Sequence, residues 1–151
     1  MITILCVGKI KEKFFKDAII EYKKRIERYS KINIIEVEDI DNPNYQISIQ
    51  KEGELILKNI NPKDYVITLE IEGNNLNSVD LSKKIDDSLM YSSNIVFVIG
   101  GSYGLSNEVK DRSNYKLSFS KLTFPHQLFR VMLLEQIYRS FKIKNNESYH
   151  K

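Results

Sequence analysis

Asn94 to Ile99 reads Asn-Ile-Val-Phe-Val-Ile and runs straight into Gly100-Gly101. A strand that is apolar at every position from Ile95 to Ile99 shows hydrophobic side chains to both of its faces. It is stable only in the middle of a sheet covered on both sides, the situation of a parallel sheet between helical layers. Ile2 to Val7 repeats the feature and is ended by Gly8. Between such runs the period changes. Lys11 to Ser30 carries Phe15, Ala18, Ile19, Tyr22, Ile26 and Tyr29 at the spacing of one helical stripe. Ile32 to Val37 is a second strand rich in β-branched residues, and Asp39 to Tyr45 is a loop around Pro43. Gln46 to Ile60 is a helix with Ile49, Gly53, Ile56, Leu57 and Ile60 on one face, stopping near Asn61-Pro62. Tyr65 to Ile71 is a third strand closed by Gly73-Asn74-Asn75. Ser78 to Met90 is a helix capped by Ser78 with Leu81, Ile85 and Leu89 on one side. Asn107 to Arg112 is a short helix, Lys116 to Phe119 a fifth strand, His126 to Ile143 a long last helix and Asn145 to Lys151 a polar tail. Strand and helix alternate without repeat or linker. The chain therefore reads as one α/β domain over residues 1–151, a mostly parallel sheet flanked by helices.

The last helix breaks the one-stripe pattern. Leu128, Val131, Met132, Leu133, Leu134, Ile137, Tyr138 and Phe141 cover most of its circumference. A helix apolar nearly all round is buried all round. In a domain of this size that predicts a second copy of the chain against it, in a closed two-fold homodimer.

Composition narrows the function classes. A single cysteine, Cys6, sits inside the first strand and reads as a small buried hydrophobe. With one Cys and two His there is no metal cluster to assemble. The apolar N-terminal run is far shorter than the ~20 residues that span a bilayer and has no basic leader, which predicts a cytoplasmic protein without a membrane partner. The net charge is +3, yet Lys9 to Lys31 holds nine basic residues against four acids, an excess of five, so the rest of the chain is slightly acidic. A basic face on one helix suits a polyanion, and Lys23, Lys24, Arg25 and Arg28 are the candidates for docking RNA. The plainer alternative is a solvated face.

Gly100-Gly101-Ser102-Tyr103-Gly104 follows the fourth strand, where backbone can approach a ligand at the carboxyl ends of a parallel sheet. It is neither G-x-G-x-x-G nor a P-loop, and it comes late in the chain, which disfavours an ordinary Rossmann cofactor site. Ser118 to Gln127 then runs from the fifth strand into the last helix, with Pro125 holding Phe124 extended; its free amides and carbonyls suit the edge of an adenine. Arg130 and Arg139 are candidates for holding phosphates, although Arg139 also stands where it can pair with Glu135. The alternative readings are that His126 only begins the helix and that Tyr149 and His150 form a frayed end.

Together, Ile99 to Leu105, Leu117 to Val131, Glu135-Gln136-Ile137-Tyr138-Arg139 and Tyr149-His150-Lys151 resemble the RlmH family over the full length of the chain. These are SPOUT-class methyltransferases acting on N3 of a pseudouridine in 23S ribosomal RNA, helix 69, of the assembled ribosome. The resemblance implies a C-terminal trefoil knot, a homodimer and S-adenosyl-L-methionine as methyl donor without a metal. It implies a cofactor pocket lined by Leu69, Gly100 and Phe119, Ser120, Lys121, Leu122, Thr123 and Phe124, with Gly101, Ser102 and Gly104 beside it. His126, Arg130, Tyr149 and His150 would face the RNA near the methyl group, the tail reaching the partner subunit's site, with Arg139 as a further RNA contact. Imidazole is the side chain best suited to take a proton near neutrality, and His150 is the favoured base. Two rivals remain at this point: a non-enzymatic RNA-binding homodimer, and an α/β enzyme of another class that binds a nucleotide at Gly100 to Gly104.

Overall fold

The computed structural model describes residues 1–151. Five strands lie in one sheet in the order β2-β1-β4-β3-β5, all parallel. They are β1 (Ile2–Val7), β2 (Ile32–Val37), β3 (Tyr65–Asn75), β4 (Ile95–Ile99) and β5 (Tyr115–Ser118). The two fully apolar strands, β1 and β4, are neighbours at the centre and are buried along their whole length. Their alternation divides the core in two. Ile2, Ile4, Cys6, Ile95, Phe97 and Ile99 face one layer of helices, with Ile67 and Leu117. That layer consists of α1 (Lys13–Ile26), α3 (Ser78–Tyr91) and α5 (His126–Lys144). Leu5, Val7, Val96 and Val98 face the other layer, α2 (Tyr45–Lys58) and α4 (Asn107–Arg112). Burial pushes the Cys6 thiol up to about 12, as expected of a cysteine that acts as a core hydrophobe. No helix is long and apolar enough to cross a membrane.

Several boundaries differ from the sequence reading, each for a tertiary reason. Helix α1 begins at Lys13 because the N–H groups of Lys11 and Glu12 donate to Gln127 Oε1 on α5, at 3.0 and 3.3 Å. The cap of α3 is Asn77, whose Oδ1 accepts from Asp80 N at 2.8 Å, while Ser78 donates instead to Gln136 at 2.7 Å. The largest difference is β3, which does not close at Gly73 but runs on to Asn75. It pairs with β5 through Leu69, breaks register, and pairs again at Asn74 and Asn75. The excursion wraps Leu117 and Ser118: Ser118 Oγ donates to Ile71 O at 2.8 Å and Asn75 Nδ2 to Ser118 O at 3.0 Å. Gly73 is where the two strands meet most closely, since a methyl group built on it would stand 2.8 Å from the backbone of Lys116.

Helix α5 packs between α1 and α3. Leu133, Leu134, Ile137, Tyr138 and Phe141 are buried within the chain, Val131 and Met132 are half-buried, and Leu128 is exposed. Within the single chain, α1 and α3 flank α5 and cover most of its apolar circumference.

Candidate functional site

The carboxyl ends of β3, β4 and β5 open into a cavity of about 500 Å³. Its first wall is the turn after β4, where Gly100 is buried and Gly101 O accepts the Gly104 N–H at 3.1 Å, with Gly104 at φ +87°. The second wall is the end of β3, Leu69 to Glu72, and the third is the β5–α5 loop from Phe119 to Phe124. Aromatic rings brace that loop: Phe129 of α5 lies 4.8 Å from Phe119 and 6.0 Å from Phe124, ring centre to ring centre. Ser118 and Ser120 hold its entry, Ser118 Oγ donating to Ser120 O at 3.2 Å and Ser120 Oγ accepting from Leu122 N at 3.0 Å.

Leu69, Gly100, Gly101, Ser102, Gly104, Phe119, Ser120, Leu122, Thr123 and Phe124 all line this one cavity. Lys121 is exposed and stands outside the lining. His126 lines the cavity from the start of α5. Glu70, Glu72, Lys110 and Phe129 line it too, and the sequence reading did not nominate them. Glu70 was within reach of inspection, being the residue after Leu69 at a strand end; Lys110 enters only because α4 folds over the turn. Apolar aromatic walls, loop backbone groups and two carboxylates within a cavity of this volume suit a nucleoside-sized ligand that carries amino or hydroxyl groups.

The remaining candidates lie elsewhere. Arg130 is 3% exposed. Its Nη1 meets Glu36 Oε2 at 2.5 Å and its Nη2 donates to Gly8 O at 3.2 Å, tying α5 to the ends of β1 and β2. Its Nε has no partner. Arg130 is therefore an internal clamp in this chain and not a surface cation. The tail is not frayed. Tyr149 OH donates to Glu135 Oε1 at 2.9 Å, its ring stands edge-on to Tyr138 at 4.9 Å, and burial, aided by the Glu135 hydrogen bond, pushes its phenol up to about 12. Arg139 pairs with Glu135 at 2.6 Å and places Nη1 3.1 Å from His150 Nδ1. These contacts lay the tail along a second groove of about 810 Å³ between α3, α5 and α1, lined by Tyr22, Ser78, Val131, Glu135 and His150. Phe119 borders both hollows, so His150 lies across it from the cavity that His126 lines. Lys24 on α1 and Arg28 in the turn after it are exposed, whereas Arg25 pairs with Glu21 at 3.4 Å and Lys23 with Glu27 at 4.0 Å.

The same arrangement has relatives. The family described as "Predicted SPOUT methyltransferase" matches residues 1–150. A protein of Clostridium tetani named ribosomal RNA large subunit methyltransferase H is 58% identical, the match covering 99% of each chain. One of the same name from Clostridium botulinum (strain Alaska E43 / Type E3) is 55% identical with the same coverage. Among solved structures, that of a probable methylase family protein from Haemophilus influenzae Rd KW20 shares the fold, with a TM-score of 0.59 at 15% identity over 99% of this chain and 70% of the other. The chain belongs to the SPOUT methyltransferases, in the family of ribosomal RNA large subunit methyltransferase H.

Proposed function

We propose that this chain transfers a methyl group from S-adenosyl-L-methionine to N3 of a pseudouridine in 23S ribosomal RNA, in helix 69 of the assembled ribosome. We further propose that it works as a homodimer in the cytoplasm, its C-terminal part tied in a trefoil knot. The observation that carries the reading is that residues from three separate segments, nominated as one cofactor set, line a single cavity at the carboxyl ends of the sheet. The residues fit such a cofactor: the cavity is of nucleoside size, its walls are apolar rings, and its turn is glycine where backbone crowds to 2.9 Å.

When bound, the cofactor supplies an electrophilic methyl group on a positively charged sulfur. The chain's own contribution is positioning and proton handling. The Phe119–Phe124 loop and the Gly100–Gly104 turn would hold the donor and fix its orientation toward the acceptor nitrogen. Holding two reactants in that geometry is worth as much as ~7–11 kcal/mol in ideal cases. Glu70 and Glu72 line the cavity and would accept hydrogen bonds from the ligand's amino or hydroxyl groups, Glu70 through Oε1, since its Oε2 accepts from Thr68 Oγ1 at 2.6 Å. The acceptor nitrogen must lose a proton. His126 is the imidazole at the cavity in the same chain; His150 remains the favoured base, delivered by the partner subunit's tail, as it lies in the neighbouring groove of its own chain.

Calorimetry with S-adenosylmethionine, S-adenosylhomocysteine and ATP tests the first claim, with binding of the first two alone as the expected result. For the second, His150→Ala is expected to keep cofactor affinity and to lose about 10²–10⁴-fold in methyl transfer to ribosomes. Unchanged turnover, or an equal loss confined to His126→Ala, removes the role from the tail. A non-enzymatic RNA-binding dimer, the rival reading, predicts no cofactor heat at all.

Docking of the ribosome is assigned to α1. Of the four candidates, Lys24 on the helix and Arg28 in the turn after it are exposed and make no ion pair. Neutralising both is expected to weaken ribosome binding and to lower the slope of log affinity against log salt by about 1.5. Filter binding across a salt series reads this, and an unchanged slope means the face is merely solvated.

A further inference from the structure

Lys110 stands in the cavity wall, and the methyl-transfer reading gives it no task. It belongs to α4, where its neighbour Val109 is wholly buried and Ser106 Oγ accepts the Val109 N–H at 3.3 Å. Helix α4 is thus pinned from within. Half-buried Lys110 reaches the cavity that Glu70 and Glu72 enter from the end of β3. A hydroxyl link fixes the two elements against each other: Thr68 Oγ1 lies 2.6 Å from Glu70 Oε2 and 2.8 Å from Ser113 Oγ, at the end of α4. Lys110 is the one lysine or arginine in the lining. Neither it nor Glu70 nor Glu72 takes part in an ion pair within the chain. The cavity therefore presents one free ammonium group and two carboxylates.

We propose that Lys110 pairs with the α-carboxylate at the amino-acid end of the cofactor and so selects ligands that carry it. The inference rests on the cavity being the cofactor site. S-adenosylmethionine has two positive groups, the sulfonium and the α-ammonium, and one negative group, the α-carboxylate. The charges of the lining are the reverse: two carboxylates to meet the cations and one ammonium to meet the anion. Without Lys110 the ligand's carboxylate would enter beside Glu70 and Glu72, and like charges in a partly enclosed place repel. An ion pair closed at a half-buried lysine is screened less than one on open surface. The aromatic loop and the glycine turn would hold any adenosine thioether, whereas Lys110 separates those with a carboxylate from those without. The plainer role for a lysine in the last turn of α4 is to complement the carbonyl end of the helix. That role would act on stability and would be indifferent to the ligand.

The probes are S-adenosylhomocysteine and its decarboxylated analogue, which differ only in the carboxylate and share a neutral sulfur. Dissociation constants are measured by calorimetry on the full chain, as wild type, Lys110→Met and Lys110→Arg, at low and at raised salt. The wild type is expected to bind S-adenosylhomocysteine about fivefold or more tighter than the analogue. Lys110→Met should abolish that preference by weakening S-adenosylhomocysteine alone, with the analogue bound no worse than by the wild type. Lys110→Arg keeps a cation at the wall and should keep the preference. Raised salt should shrink the preference of the wild type and leave Lys110→Met unaffected. Thermal melting of each variant confirms that the compared chains are folded. Three results overturn the proposal: a wild type indifferent to the carboxylate, a Lys110→Met chain that still prefers it, or an equal loss of both ligands in Lys110→Met. Failure of the wild type to bind either ligand would instead sink the cofactor reading on which the proposal rests.

Discussion

Gly100→Ala is expected to weaken S-adenosylmethionine binding by about a hundredfold, some 2.7 kcal/mol, while the chain stays folded. A methyl group on Gly100 would stand 2.9 Å from the carbonyl carbon and oxygen of Gly104 and 2.9 Å from Leu105 Cδ2. Two of those three atoms are backbone, which has no rotamer to retreat into, so the turn itself must shift. Overpacking of this kind costs about 1–3 kcal/mol, and here the strain falls on a wall of the cavity. The sheet beneath is held by β1 and β4, which are buried from end to end, so the damage should stay local. Calorimetry gives the affinity and thermal melting gives the fold. Tight binding by a well-folded Gly100→Ala chain would mean that the cofactor does not sit against this turn. Mixed with His150→Ala chains, Gly100→Ala chains should recover part of the methyl transfer, because one intact pocket can then meet one intact tail from the other subunit.

Glu36→Ala is expected to destabilise the chain by about 2–4 kcal/mol. The guanidinium of Arg130 is 3% exposed, bonded to Glu36 at 2.5 Å and to Gly8 O at 3.2 Å. Without Glu36 the charge is left in the interior with a single neutral acceptor. The figure sits at the low end for breaking a buried pair because the Glu36 side chain is 35% exposed, so water already stabilises it in part. Arg130→Met together with Glu36→Leu should cost less than Glu36→Ala alone, since no uncompensated charge remains. Urea denaturation of the wild type and both variants measures this. The series also separates two roles for Arg130. If Arg130→Met loses methyl transfer only in proportion to its folded fraction, the side chain is a clamp and not a contact for the RNA.

Much of the architecture is legible along the chain because its signals are local. Ile95 to Ile99 and Ile2 to Val7 are apolar at every position, and this alone sends them to the centre of a parallel sheet. The stripes of α1, α2 and α3 follow from their spacing, to within a few residues at the ends. The cavity residues were reached differently, through the combined resemblance of segments far apart in sequence; no single one was specific enough. Long-range contacts were invisible to either route. Gly73 to Asn75 look like a turn, yet they continue β3, since their hydrogen-bonding partners are Lys116 to Ser118 some forty residues on. Arg130 looks like a phosphate ligand on a helix, yet its partner Glu36 is on β2.

By itself the sequence determined the class of fold, the order of its elements and the loops that can approach a ligand, because periodicity and glycine placement act over a few residues. Only the tertiary structure decided which side chains are spent on the scaffold. It buried Arg130 and Glu52, docked Tyr149 and His150 into a groove beside the cavity, and brought Glu70 and Lys110 to its wall. The physical reason is that an ionisable group takes its character from burial and from the charges that face it. Those neighbours are supplied by whichever distant element the fold brings alongside.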